Sequence, residues 1–231
     1  MSSPLQIFCF TYAGGTGSFF DELEKDICNA EFVKLEYSGH GTRHRESYYN
    51  DFNELGDDLF GILKEKQCGD YALLGYSMGS ISLVEVLKRI IDSGMDLPQN
   101  VFLAAHEPLT KSDLLSYSSD ELDDWVKNRT IRFGAVPEQL VNNKVYWRTY
   151  LPLYRADYMI IGRYEFEKLE LNTKIAADVF YSDMDTPYDE IRQWSNYFTG
   201  PLEFHGFEGN HFFIKEHHRE IAEIIKGRLG I

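Results

Sequence analysis

A serine set between two glycines, Gly75-Tyr76-Ser77-Met78-Gly79, follows directly on the apolar run Tyr71-Ala72-Leu73-Leu74, and a helical pattern begins at Ser80. A G-x-S-x-G pentapeptide alone is often a flexible loop. Placed between a strand and a helix it reads as a nucleophile elbow, a turn that lifts a serine hydroxyl to the tip of a sheet. The glycines have a steric reason: side chains at 75 and 79 would collide with neighbouring backbone. The helix behind the turn aims its N-terminal N–H groups at the point where negative charge develops during attack on a carbonyl. The chemistry implied is nucleophilic acyl transfer by Ser77. It needs a base, an acid to orient the base, and a second donor for the oxyanion.

In α/β-hydrolases these groups follow in the order serine, acid, histidine. Among the histidines C-terminal to the elbow, His205 lies within a strand pattern, and His217 and His218 lie on the last helix, where they read as solvent-facing. His211 sits in Glu208-Gly209-Asn210-His211-Phe212-Phe213, a loop between the last strand and the last helix, and is the expected base. The acid should end the preceding strand. Two aspartates compete in Ser182-Asp183-Met184-Asp185-Thr186-Pro187. Asp185 is preferred because Thr186-Pro187 turns the chain out of the sheet and leaves its carboxylate in the loop. Asp183 is the second choice, since it could instead satisfy loop N–H groups.

The oxyanion hole needs backbone donors. One is the N–H of Met78, the residue after the nucleophile. The other should come from the loop after the first strand, Phe10-Thr11-Tyr12-Ala13-Gly14-Gly15-Thr16-Gly17-Ser18, through Tyr12 or Ala13. Glycines allow backbone to approach a substrate closely. A phosphate-binding loop is the competing reading, but the G-x-G-x-x-G, G-K-S and G-K-T spacings are absent.

These residues require a scaffold that brings strand ends together. Strand patterns occupy residues 6–10, 32–37, 71–76, 101–105, 176–181 and 202–207; helical patterns occupy 50–66, 81–91, 190–198 and 214–229. The alternation predicts a mostly parallel central sheet with helices on both faces. At 231 residues the chain is expected to be a single domain over 1–231. Residues from about 112 to 170 break the alternation with helical patterns rich in aromatics, among them Trp125, Phe133, Tyr146, Trp147, Tyr150, Tyr154 and Tyr158. They are expected to form a small helical core of their own and an inserted cap, or lid, over the strand ends.

Composition narrows the partners. A net charge of −14 argues against nucleic acid and anionic membrane as partners. The three cysteines lack metal-ligand spacing, and no apolar stretch is long enough to span a bilayer. The first residues show no secretory pattern. A cytoplasmic monomer without metal or cofactor is expected.

The segments around the elbow resemble those of the type II thioesterases, the free-standing editing enzymes of nonribosomal peptide and polyketide synthases. Phe10-Thr11-Tyr12-Ala13-Gly14-Gly15 resembles the family's F-P-[YF]-A-G-G loop, with Thr11 for proline. Tyr37-Ser38-Gly39-His40-Gly41-Thr42-Arg43 is similar to its P-G-R-G-x-R segment, with Ser38 and His40 as departures. The elbow is similar to G-H-S-M-G, with Tyr76 for histidine, and Gly209-Asn210-His211-Phe212-Phe213 to G-G-H-F-F. Phe133-Gly134-Ala135-Val136-Pro137 and residues 151–158 resemble its cap motifs. The resemblance implies an α/β-hydrolase fold and, as substrate, an acyl or aminoacyl group on the phosphopantetheine thiol of a carrier protein. A general carboxylesterase or an acyl-CoA thioesterase of the same fold is the alternative; a non-catalytic synthase-associated module is a further one. Carrier domains are usually acidic, as this chain is, so docking should use apolar contacts and local basic residues; Arg43 and Arg45 are one candidate patch, with a solvated surface the preferred reading of that pair.

Overall fold

The computed structural model describes residues 4–109, 118–171 and 173–231. The first three residues, part of the stretch read for a secretory pattern, and residues 112–117 of the expected lid lie outside the described residues. Six strands form one sheet: β1 (Leu5–Phe10), β2 (Ala30–Leu35), β3 (Tyr71–Tyr76), β4 (Val101–Ala104), β5 (Ala177–Tyr181) and β6 (Leu202–Gly206). Their order is β2-β1-β3-β4-β5-β6, and every described pairing is parallel.

The sheet is covered on both faces because side chains alternate along each strand. Phe8 and Phe10 of β1, Leu73 of β3 and Leu103 of β4 join one core with helices α2 (Phe52–Lys66) and α3 (Met78–Ser93). Ile7 and Cys9, Leu74 and Tyr76, and Phe102 face the other way, toward α1 (Asp21–Asp26) and α7 (Ile214–Leu229). Helix α2 buries Phe52, Leu55, Leu59 and Leu63 at three- and four-residue intervals. Asp51 caps its start by accepting from the Glu54 N–H at 2.8 Å.

The strand order reverses between β1 and β3. The chain leaves β1 for β2 on one side and returns to β3 on the other, so the loops at the C-terminal ends of β1 and β3 lead to helices on opposite faces of the sheet, α1 and α3, at the point where open α/β sheets hold ligands. These loops are the glycine-rich segment and the Ser77 elbow.

Some elements differ from the sequence reading. The second strand ends at Leu35, not at Tyr37. Tyr37 leaves the ladder because its buried hydroxyl donates to Thr11 O at 2.7 Å. The helix expected from residue 81 starts at Met78, its first turn hidden by the small residues Gly79 and Ser80. The region 190–198 is a short helix α6 (Tyr188–Ile191) running into a 3-10 turn, Arg192–Asn196.

Between β4 and β5 lie α4 (Ser119–Arg132), a 3-10 turn Glu138–Leu140, and α5 (Lys144–Arg163). Ser118 and Glu121 close a capping box at the start of α4. These helices enclose their own core of Leu122, Val126, Val136, Trp147, Tyr154 and Tyr158. Among the described residues no helix is long and apolar enough to cross a membrane.

At the far edge of the sheet Asp178 of β5 is fully buried. The Asn100 amide donates to it at 2.9 Å, His205 Nε2 lies 2.7 Å away, and the Arg228 guanidinium donates to both its oxygens at 2.8 Å. Arg228 also reaches Glu203 at 2.7 Å, so a guanidinium already occupies the one group of described residues, Asp178, Glu203 and His205, whose ligand atoms cluster as a metal site would need.

Candidate active site

The elbow is strained where the sequence pattern requires it. Ser77 has φ 56° and ψ −122°, a positive φ that costs a non-glycine residue of the order of 1–3 kcal/mol. Surrounding bonds hold it: its N–H donates to Ala104 O at 2.8 Å, and its own carbonyl accepts from the Ser80 N–H at 2.8 Å. Ser80 Oγ in turn donates to Ala104 O at 3.0 Å or to Gly75 O at 3.2 Å. A Cβ on Gly75 would fall 2.4 Å from Gly79 O, and one on Gly79 would fall 2.0 Å from Phe10 O. The second clash shows that the loop after β1 runs directly against the elbow.

The loop after β6 carries His211. Its backbone is pinned from below, where the buried Tyr76 hydroxyl donates to His211 O at 2.6 Å, and beside it, where Ser182 Oγ donates to Gly209 O at 2.6 Å. Burial pushes the Tyr76 phenol well above its ordinary range, so it remains a donor. Gly209, at φ 115°, makes the turn that brings the histidine back over the sheet. His211 Nε2 lies 2.9 Å from Ser77 Oγ, and Nδ1 lies 2.8 Å from Asp185 Oδ2. A carboxylate only accepts, so Nδ1 carries the proton and Nε2 is free to accept from the serine hydroxyl. All three side chains are less than one-tenth exposed.

Asp185 is held in this position by the turn before it. The N–H groups of Asp185 and Thr186 donate to Ser182 O at 3.0 and 2.8 Å. Asp183 is exposed and accepts from the Tyr188 N–H at 2.9 Å. The structure therefore places Asp185 against the histidine and Asp183 in a loop-capping bond, the local role weighed for it from sequence.

Ser77, His211 and Asp185 line a cavity of about 370 Å³, together with Tyr12 and Ala13 from the loop after β1. Met78 is the first residue of α3. The two candidate donor segments thus both border Ser77. The roof comes from α4 and its C-terminal end. Phe133 stacks on His211 with ring centroids 4.2 Å apart and planes at 18°, and the Arg129 guanidinium lies 4.5 Å from the Phe133 centroid. The aromatic cover keeps water from the outer face of the imidazole.

Other sequence-level expectations resolve differently. His217 and His218 are not free on the surface. His217 is 3.0 Å from Glu208 O, within hydrogen-bonding distance of a carbonyl, and His218 Nδ1 is 2.5 Å from Asp26 Oδ2, tying α7 to α1. Arg43 is engaged by Glu46 and Asp58, and through them braces the loop after β2, so of the two arginines considered for docking only Arg45 remains exposed and without an ion pair among the described residues. Four contributors escaped the sequence reading. Phe133 looked like one of many cap aromatics. Tyr76 looked only like a departure from the usual histidine. His40 looked like a departure too, and Asp157 like part of a cap motif. For the last pair a signal existed: an aspartate amid apolar and aromatic residues on a helix must find a buried partner.

The sequence model of the thioesterase domain family matches residues 5–229. The medium-chain S-acyl fatty acid synthase thioesterase of Rattus norvegicus is 26% identical over 219 residues, covering 90% of this chain and 81% of that protein. Thioesterase PikA5 of Streptomyces venezuelae is 22% identical over 232 residues, covering 99% and 82%. Among solved structures, the type II thioesterase BorB from the borrelidin biosynthetic cluster superposes with a TM-score of 0.84 at 26% identity, covering 99% of this chain and 94% of its own.

Proposed function

The chain belongs to the thioesterase family and is a hydrolase acting on thioesters; from that premise we propose that Ser77 is its nucleophile, His211 its base and Asp185 the acid that orients the base. The observation that carries this is the unbroken hydrogen-bonded chain from Ser77 Oγ through both nitrogens of His211 to Asp185, on the floor of the cavity. Ser77 Oγ gives its proton to Nε2 and attacks the thioester carbonyl. Asp185 holds the Nδ1–H tautomer and stabilises the imidazolium that forms. The oxyanion is held by the N–H of Met78, where the positive end of α3 adds to the field, and by that of Tyr12 or Ala13. Collapse breaks the carbon–sulfur bond, and the thiol leaves with the proton from His211. Water then gives a proton to Nε2 and attacks the acyl-serine ester; the acid departs and Ser77 recovers its proton.

The substrate in this reading is an acyl or aminoacyl group on the phosphopantetheine arm of a carrier protein, removed as an editing or release step. The named relatives support it: one serves the borrelidin cluster, another is PikA5. The helices between β4 and β5 act as a lid over the acyl group. Their separate core lets them pack as a unit, and the Phe133 stack on His211 supports the placement. The test compares turnover of one acyl group on a carrier protein, on coenzyme A and as a p-nitrophenyl ester, with Ser77→Ala as control. A carrier advantage in kcat/KM of roughly tenfold or more is expected, about 1.4 kcal/mol of added transition-state binding. No carrier advantage would replace the editing role with that of a general esterase or acyl-CoA thioesterase.

A further inference from the structure

The loop that approaches Ser77 from β1 is fastened to the helices above it by one buried pair. Asp157 of α5 is 3% exposed, and its Oδ2 accepts from the Gly14 N–H at 2.7 Å. The same oxygen faces His40 Nε2 at 2.9 Å, and His40 is 1% exposed. The other ring nitrogen, Nδ1, lies 3.0 Å from Ser38 O. A carbonyl oxygen only accepts, so Nδ1 holds a proton. Oδ2, already accepting from an amide, is matched by a second donor at Nε2. Both ring nitrogens therefore carry protons, and an imidazolium faces a carboxylate. Burial works against that charge, but Asp157, Ser38 O and the more distant Glu36 outweigh it and raise the imidazolium above its ordinary range.

The grip falls at a place that matters for Ser77. Gly14 follows Tyr12 and Ala13, and its φ of 77° turns the loop back. A Cβ there would sit 2.1 Å from Cε1 of Tyr154, which lies three residues before Asp157 on the same face of α5. Helix α5 thus holds the loop at two points. From below, Tyr37 donates to Thr11 O at 2.7 Å, and the Gly15 N–H donates to Tyr12 O at 2.9 Å. In a trans peptide the N–H points opposite to the C=O. Pinning Thr11 O and Tyr12 O therefore fixes the directions of the Tyr12 and Ala13 N–H groups. The bond from Gly14 to Asp157 fixes the next peptide plane and closes the frame.

We propose that Asp157 and His40 are positioning residues for the reaction: through the Gly14 N–H they hold the loop after β1 in the setting that aims its oxyanion donor, so the donor is set only while α5 is docked. This rests on the proposed use of that loop as oxyanion donor to Ser77. Two substitutions separate positioning from packing. Asp157→Asn can keep an oxygen in the place of Oδ2, which accepts from both the Gly14 N–H and His40 Nε2–H but carries no charge. Asp157→Leu has similar volume and no acceptor. Hydrolysis of an acyl-pantetheine thioester is measured per active site titrated with a fluorophosphonate, which normalises for folded protein. Asp157→Leu is expected to lower kcat roughly 10- to 100-fold, less than or similar to the loss of a whole oxyanion donor, with KM within about threefold. Asp157→Asn should recover most of that loss. A kcat for Asp157→Leu within about threefold of wild type, or an Asp157→Asn no better than Asp157→Leu, would overturn the proposal.

Should Asp157→Leu not fold, the wild-type enzyme decides. The groups that face the His40 ring are Asp157 from α5, Ser38 O and the ring edges of Tyr37 and Tyr48, with Glu36 beyond. Nitrogen-15 resonances of labelled histidine should show His40 doubly protonated at neutral pH, and kcat should fall over the interval in which it loses a proton. A His40 neutral at pH 7, or a kcat indifferent to its titration, is the contrary result. Ser77→Ala run in parallel separates the two levels. If it retains activity, the nucleophile assignment fails. If it is inactive while the Asp157 variants behave as wild type, only the positioning role fails.

Discussion

Asp185→Asn against Asp183→Asn tests the acid by substitutions of equal size two residues apart. In the structure Asp185 Oδ2 lies 2.8 Å from His211 Nδ1, and that contact alone selects the tautomer with Nε2 free to accept from Ser77. An amide at 185 can turn its NH2 toward Nδ1, which leaves the proton on Nε2 and no base for the serine. The same change in a serine protease, with geometry intact, costs about 10⁴ in kcat. A thioester is more reactive than an amide and needs less general-base assistance, so a loss of roughly 10²–10⁴ in kcat is expected here. Asp183 is exposed, and its oxygen accepts one backbone N–H, from Tyr188 at 2.9 Å. An asparagine keeps that acceptor, so Asp183→Asn should stay within about threefold of wild type. The assay is hydrolysis of one acyl-pantetheine thioester followed by thiol release, with melting temperatures to show that both variants fold. A larger loss for Asp183→Asn, or an Asp185→Asn within about tenfold of wild type, would refute the tautomer reasoning.

Further outcomes follow from the same geometry. Gly79→Ala would place a Cβ 2.0 Å from Phe10 O, a backbone atom that cannot swing aside, so the loop after β1 must shift; a loss of about 1–3 kcal/mol in denaturant unfolding together with lowered kcat is expected, and a variant as stable and active as wild type would contradict the close approach. Tyr76→Phe removes the buried hydrogen bond to His211 O and should cost about 0.5–1.5 kcal/mol of stability, with a several-fold drop in kcat as the base loop loosens; unchanged kinetics would show that the loop is held elsewhere. Phe133→Ala removes a ring stacked on His211 and should lower kcat/KM by roughly 2- to 10-fold, and a faster enzyme would argue that the stack obstructs substrate. The His40–Asp157 pair also predicts a pH effect on stability. The folded protein holds the His40 proton more tightly than the unfolded chain, so the stabilisation is complete below the unfolded histidine pKa near 6.5 and is lost as pH rises through the raised folded value. Asp157→Asn should flatten that alkaline decline, as followed by melting temperature against pH.

The residues proposed to do the chemistry were the most legible part of the sequence. Glycine at 75 and 79 has a steric cause that the structure makes explicit, and the Ser77 turn could form in few other ways. His211 and Asp185 could be located because parallel strands deliver their C-terminal loops to one edge, and chain order then limits the choices. Strand spans were read closely where burial on both faces makes continuous apolar runs, as in β3. They slipped where tertiary bonds overrule pattern: Tyr37 reads as strand but turns away to bind Thr11 O. Least legible were pairings distant in the chain. His40 and Asp157 are 117 residues apart; the surroundings of the aspartate signal a buried partner, but no pattern in the chain points to His40. The Phe133 stack on His211 likewise joins segments whose periodicities carry no information about each other.

Mass spectrometry of the quenched reaction tests the nucleophile most directly. Wild-type protein mixed with an acyl-loaded carrier and stopped in acid within the first turnovers should gain the mass of one acyl group, carried on the peptide that contains Ser77. Ser77→Ala should gain none and should not turn over. An enzyme that hydrolyses the thioester at full rate with no acyl on Ser77, or a Ser77→Ala variant as active as wild type, would contradict the assignment of Ser77 as nucleophile.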